Sequence, residues 1–129
     1  MKPKMIWANL AVDNLERTTK FYTDLGFKPN GAPNEQLTSF IMGENDFIIH
    51  FFRKEVLQSN MNMVVSDAHS AAEILFTLSA DSQKQVDDWA DEVVKAGGKM
   101  LSQPEAFGAG YYGFMFADPD GHRYNVFYM

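Results

Sequence analysis

The sequence predicts an α+β fold built from two tandem β-α-β-β-β modules, and three observations carry that expectation. Apolar side chains alternate with period two over residues 5–12 and again over residues 73–80, the pattern of half-buried strands. Each alternating run leads into a segment of helical spacing that opens on a capping residue and stops at glycine, at Gly26 and at Gly97-Gly98. Strand-length runs separated by turn residues follow in both halves, so the second half repeats the plan of the first.

In the first run Ile6, Ala8, Leu10 and Val12 form an apolar face, and Met5, Trp7, Asn9 and Ala11 a mixed one. Asp13-Asn14 supplies a helix N-cap, and Glu16, three residues after Asp13, completes a capping box. The helix is expected to reach about Leu25 with Phe21 and Tyr22 turned inward. Residues 27–30 read as a short strand. Residues 36–42 and 46–52 read as two more, joined by the turn Gly43-Glu44-Asn45. Residues 53–72 break the rhythm. One helical turn is expected at 54–57 and no regular structure at Asn60-Met61-Asn62-Met63, so residues 54–72 are read as a linker or arm between module one (4–53) and module two (73–129) of a single domain.

The strand at 73–80 carries Ile74, Phe76, Leu78 and Ala80 on one face and Leu75, Thr77 and Ser79 on the other. Asp81-Ser82 opens a helix with Gln85 three residues past Ser82, and Val86, Trp89, Val93 and Val94 give it an apolar stripe. Residues 99–102 and 111–116 are expected strands. Asp118-Pro119-Asp120-Gly121 is a turn with a mechanism: proline presets φ, aspartate bonds nearby N–H groups and glycine accepts positive φ. Beyond it Tyr124, Val126 and Tyr128 alternate with Arg123, Asn125 and Phe127, and the second, mixed face is where function is expected.

Composition narrows the function. A chain of 129 residues buries a core without needing disulfides or a structural metal. The absence of cysteine excludes thiolate metal sites and thiol nucleophiles. A net charge of −6 argues against nucleic acid as a partner, since such binding is driven by basic patches. The apolar run near the N-terminus is strand-length, too short for a signal or a membrane span, so a cytoplasmic protein with no membrane partner is expected. Eleven Phe and eight Met suggest a core or cavity of adaptable, polarizable surface.

The double module resembles the vicinal oxygen chelate superfamily, which includes glyoxalase I, bleomycin-resistance proteins, fosfomycin-resistance enzymes and extradiol dioxygenases. The resemblance rests on residues 9–17 leading into Phe21-Tyr22 and Leu25-Gly26-Phe27, and on Ala96-Gly97-Gly98 preceding Phe116-Ala117-Asp118-Pro119-Asp120-Gly121. It implies paired modules that form a curled mixed sheet around a concave cavity, often in a homodimer. It also implies a divalent metal held from four strand positions, which here are Trp7, His50, Leu75 and Asn125. Of these His50 is a good ligand, Asn125 is a weak neutral one, and Trp7 and Leu75 are none. No metal and no other cofactor is therefore expected.

His50 lies between Ile48 and Phe52 on the mixed face of its strand, either as a packed histidine or as a polar anchor or acid/base. Asn9 and Asn125 point to mixed faces and need partners. Trp7 either fills the space of a metal or walls a ligand cavity. Phe52 shares the mixed face with His50, Leu75 enters as the module-two position that the resemblance implies, and Thr77 is either a contact or, more often for such a residue, a plain strand residue. Tyr111, Tyr112 and Phe114, after Gly108-Ala109-Gly110, read as cavity rim or as core. The expected function is binding of an unknown small molecule in an aromatic pocket. The alternatives are a glyoxalase- or dioxygenase-like enzyme that uses a non-standard metal or His50 as acid/base, and an interaction module with a vestigial cavity.

Overall fold

The computed structural model describes residues 1–129, which divide into two compact units, residues 1–66 and 67–129. Unit 1 contains β1 (Trp7–Val12), α1 (Leu15–Asp24), β2 (Lys28–Pro29), β3 (Leu37–Ile41), β4 (Ile48–Arg53) and α2 (Lys54–Met61). Its sheet runs β1-β4-β3-β2, with β1 parallel to β4 and the other pairs antiparallel. Unit 2 contains β5 (Leu75–Ser79), α3 (Gln83–Ala96), β6 (Lys99–Met100), β7 (Glu105–Phe107), β8 (Tyr111–Ala117) and β9 (Arg123–Tyr128). Its sheet runs β5-β9-β8-β6, with β5 parallel to β9 and β7 paired to β8. Both units thus place the last long strand between the first strand and its own hairpin partner. The fold is α+β and repeats one plan twice.

Each core is the interface between a helix and one sheet face. In unit 1, α1 buries Phe21 and Tyr22, and the Tyr22 ring stacks on Phe51 at 4.5 Å and tilts against Phe40 at 5.6 Å. Thr19 Oγ1 hydrogen-bonds Thr38 Oγ1 across the same interface at 2.9 Å. In unit 2 Trp89 of α3 stacks on Phe116 at 6.5 Å, and Phe116 stacks on Tyr124 at 5.0 Å. Burying rings of this size contributes on the order of 2–3 kcal/mol each. Strand alternation therefore leaves the opposite face of each sheet, carrying the odd-numbered residues of β1 and the even-numbered residues of β4, or the odd-numbered residues of β5 and β9, without α1 or α3 upon it.

Three local expectations are corrected. The cap of α1 is Asn14, whose Oδ1 accepts from Arg17 N–H at 3.0 Å; because the helix begins at Leu15, Glu16 sits in the first turn and no Asp13–Glu16 box forms. The single turn expected at 54–57 is an eight-residue helix through Met61, ended by Asn62 in the left-handed region at φ 53°. One residue of it, Leu57, is buried, so its sequence carries almost no apolar periodicity to reveal it. Strand β7 was not anticipated: its three exposed residues form a strand only by pairing with β8. The second helix behaves as read, with Ser82 Oγ accepting from Gln85 N–H at 3.0 Å and Gly97 at φ 97° closing its C-terminus. No helix is long and apolar enough to cross a membrane.

Candidate functional site

In unit 1 the register places Asn9, His50 and Ser39 side by side in one row across β1, β4 and β3, on the face opposite α1. Trp7, Ile48 and Ile41 form the row on one side, and Ala11, Phe52 and Leu37 the row on the other. His50 is thus bracketed by aromatic rings, Trp7 edge-on at 6.3 Å and Phe52 edge-on at 6.1 Å. Trp7 is 49% exposed, half open to solvent.

The imidazole itself is unusual. His50 Nδ1 is buried and has no hydrogen-bond partner, and Nε2 is not buried and makes no hydrogen bond either. Burial pushes the pKa of His50 below the ordinary histidine value, because the charged ring would be desolvated. A buried N–H without an acceptor is costlier and rarer than an under-used lone pair. The neutral ring therefore carries its proton on Nε2 and presents an N–H donor on the open side.

In unit 2 the matching row is Thr77, Asn125 and Met115 across β5, β9 and β8. Leu75, Arg123 and Ala117 flank it on one side, and Ser79, Phe127 and Gly113 on the other. Asn125 is 9% exposed, and its one hydrogen bond, from Nδ2 to Thr77 Oγ1, is a stretched 3.5 Å. Leu75 is 46% exposed. At the far end of this face the rings of Phe107, Tyr111 and Phe127 form a cluster with centroids 5.0–6.0 Å apart.

Two residues expected with these lie elsewhere. Phe114 pairs with Val126 and is buried on the α3 side, 5.9 Å from Phe116, so it is core. Tyr112 alternates to that same side, and its hydroxyl donates to Asp87 Oδ1 of α3 at 2.7 Å, which raises the phenol pKa. A one-residue step along β8 decides this, since alternation sends Tyr111 to one face and Tyr112 and Phe114 to the other. Missing from the expected set are Ser39, which shares the His50 row, and Arg123, Phe127 and Phe107. Alternation with Asn125 already marks Arg123 and Phe127; nothing in the sequence marks Phe107, whose strand is set by pairing alone.

The donor set does not fit a family-type metal. Among the four positions only His50 offers a strong ligand, and nowhere does the chain group three or more His, Cys, Asp or Glu side chains able to hold an ion. A tryptophan N–H donates only, and leucine offers nothing.

A tandem pair of β-α-β-β-β units, each with a sparse polar row on the sheet face its long helix leaves open, defines the class of glyoxalase-type folds. The chain belongs to the Glyoxalase/Bleomycin resistance protein/Dioxygenase superfamily, whose model matches residues 4–126. It is similar in structure to a hypothetical protein from S. aureus, at 27% identity over 100% of this chain and 96% of that one, with a TM-score of 0.87. A glyoxalase-related enzyme from Fulvimarina pelagi matches at 21% identity, covering 97% and 88% of the two chains, with a TM-score of 0.85. Lactoylglutathione lyase from Agrobacterium tumefaciens matches at 20% identity, covering 99% and 96%, with a TM-score of 0.70. No curated protein matches by sequence.

Proposed function

We propose that this chain is a small-molecule-binding protein of the glyoxalase and bleomycin-resistance type that works without a conventional metal centre. The observation that carries the reading is the half-satisfied imidazole of His50: a neutral ring locked by burial on one nitrogen, offering a free N–H donor between two aromatic side chains. Sites for small ligands are mostly apolar with a few placed polar groups, and this row has that make-up. The matching ligand is flat or apolar and carries a hydrogen-bond acceptor, such as a carbonyl, for His50 Nε2–H.

The tautomer also weighs between binding and acid/base chemistry. A general base needs a lone pair on the open nitrogen, but here the lone pair is on the buried one. The acid/base alternative therefore requires the ring to turn or to hold an unpartnered Nδ1–H in the buried position, and binding requires neither. Relatives that assemble their sites from paired copies make a homodimer part of the same proposal, to be checked by light scattering in solution.

The reading is tested by screening aromatic aldehydes, ketones and amides for thermal stabilisation, with His50→Ala and His50→Gln alongside. A hit should lose roughly tenfold in affinity in His50→Ala, the scale of one neutral hydrogen bond. Binding that is indifferent to His50 removes the residue from the site. Stoichiometric zinc, nickel, iron or manganese in protein purified without chelator would sink the metal-free claim.

A further inference from the structure

We propose that unit 2, residues 67–129, carries on β9 a binding strip for a small organic acid with a planar apolar end. Arg123 and Asn125 donate to the carboxylate, and Phe127 with its ring neighbours takes the apolar end. The inference rests on the reading that this chain binds small molecules on its open sheet faces, and it names the ligand class.

Arg123, Asn125 and Phe127 alternate with Tyr124 and Val126, which are fully buried against the core, so the three share the face that α3 does not cover. Arg123 is part-buried, yet its side chain enters no hydrogen bond and no ion pair. The ion pairs Lys20–Asp24, Lys84–Asp88 and Lys95–Glu92 all lie along helices. A guanidinium presents five donors in a fork that matches a carboxylate, and that of Arg123 has no partner in the chain.

The repeat within the chain shows that the fold does not need this charge. The register Trp7–Ile48, Asn9–His50, Ala11–Phe52 in unit 1 corresponds to Leu75–Arg123, Thr77–Asn125, Ser79–Phe127 in unit 2. The counterpart of Arg123 is Ile48. An apolar side chain does the structural work of that position in one module, so the arginine in the other is there for something else.

The acidic groups on this face do not answer the charge. Glu105 pairs with Gly113 two strands from β9, four residues along from Arg123; strand spacing puts it roughly 16 Å away, beyond the screening length of about 8 Å. Glu73, two residues before Leu75, is exposed and forms no ion pair. The overall charge of −6 repels anions at long range, so an acid bound here is held by local contacts.

The other end of the strip is built for a ring. Gly113 stands opposite Phe127, and a Cβ at Gly113 would lie 2.2 Å from the Val126 backbone oxygen and 2.9 Å from Phe127 Cδ1, so the missing side chain leaves room for both the strand and the Phe127 ring. Phe107 and Tyr111 pack around that ring while remaining 40% and 38% exposed. From Arg123 to Phe127 the strand covers about 13 Å between Cα atoms, a span that a flexible arginine shortens to the length of a phenylalkanoate.

The probe is 4-phenylbutanoate, titrated into the ¹⁵N-labelled full chain, with 4-phenylbutanamide and butanoate as its neutral and ring-less controls. Followed at the amides of residues 123–127, the acid should bind at least tenfold more tightly than either control and lose at least tenfold in Arg123→Gln. The amide should bind wild type and Arg123→Gln alike. An unchanged amide spectrum and unfolding midpoint show that Arg123→Gln is folded. The inference is overturned if amide and acid bind wild type equally at residues 123–127, if Arg123→Gln leaves the acid's affinity there unchanged, or if the acid shifts nothing on β9. Those results leave the His50 reading standing, because it is judged by carbonyl ligands and by residues of unit 1.

Discussion

Replacing Gly121 by alanine isolates how the Asp118–Gly121 turn is seated. Asp118 holds the turn from within, its Oδ1 accepting from Asp120 N–H at 3.0 Å and from His122 N–H at 2.8 Å. Gly121 has φ 93°, and a Cβ there would lie 2.7 Å from His69 N, 2.8 Å from Ala68 C and 2.9 Å from His69 Nδ1. The first two atoms are backbone, in a turn fastened by Asp67, whose carboxylate accepts from His69 N–H at 3.0 Å and Ser70 Oγ at 2.8 Å. Two costs therefore combine: about 1–2 kcal/mol for a left-handed alanine and about 1–3 kcal/mol for overpacking against a segment that cannot swing aside. Gly97→Ala is the control. It has nearly the same φ, 97°, with nothing within 4 Å of its Cβ, so it bears the first cost alone. In urea unfolding at constant m, Gly121→Ala should fall below Gly97→Ala by about 1–3 kcal/mol, a large share of a typical 5–15 kcal/mol stability. Equal losses would refute the claim that residues 68–69 are clamped onto the turn that launches β9.

Three further outcomes are expected. Phe51→Ala, which removes a fully buried ring stacked on Tyr22, should cost about 3–5 kcal/mol in the same assay. The folded pKa of His50 is lowered, so the unfolded chain binds its proton first as pH falls; the stability this gives is present above the ordinary histidine pKa and lost as pH drops through the folded value. His50→Gln should flatten that part of the stability–pH curve below about pH 6.5; a curve that is unchanged would mean the ring is not desolvated. The folded pKa of Tyr112 is raised by its bond to Asp87, so ultraviolet titration should find one phenol ionising late, and Asp87→Asn should bring it back toward the others.

How much of this was legible in the sequence follows from which interactions are local. The repeat, the helix ends at Gly26 and Gly97 and the alternation on β1, β5 and β9 are written in neighbouring residues, and they give the fold class directly. Elements made by pairing or docking are not. Glu105–Phe107 is strand because β8 lies beside it, and α2 is helix despite a sequence with one buried residue. At the site, alternation places His50 with Asn9 and Trp7, and Asn125 with Thr77 and Leu75. It separates Tyr112 and Phe114 from Tyr111, which grouping by sequence proximity had joined. The orphaned nitrogen of His50 belongs to packing around a ring, and no spacing rule reports it.

The two modules diverge most at equivalent places on their open faces, and the pattern of divergence is chemical. At the central position one has His50 and the other Asn125; beside it one has Ile48 and the other Arg123. The four strand positions where the family resemblance implies metal ligands do not all carry inert side chains here. Each module instead keeps one central polar group with unspent hydrogen-bonding capacity: His50 with a free Nε2–H, and Asn125 with an amide stretched to 3.5 Å. Both present donors. Arg123 adds five more on unit 2 alone. Under the proposed metal-free function, a face of donors recognises oxygen through hydrogen bonds, which are individually weak, act in number and tolerate neutral partners. Protein with Asn125→Asp and Leu75→His, which places two oxygen or nitrogen ligands at strand positions, should bind zinc more tightly than wild type by calorimetry, with no gain in stability in metal-free buffer.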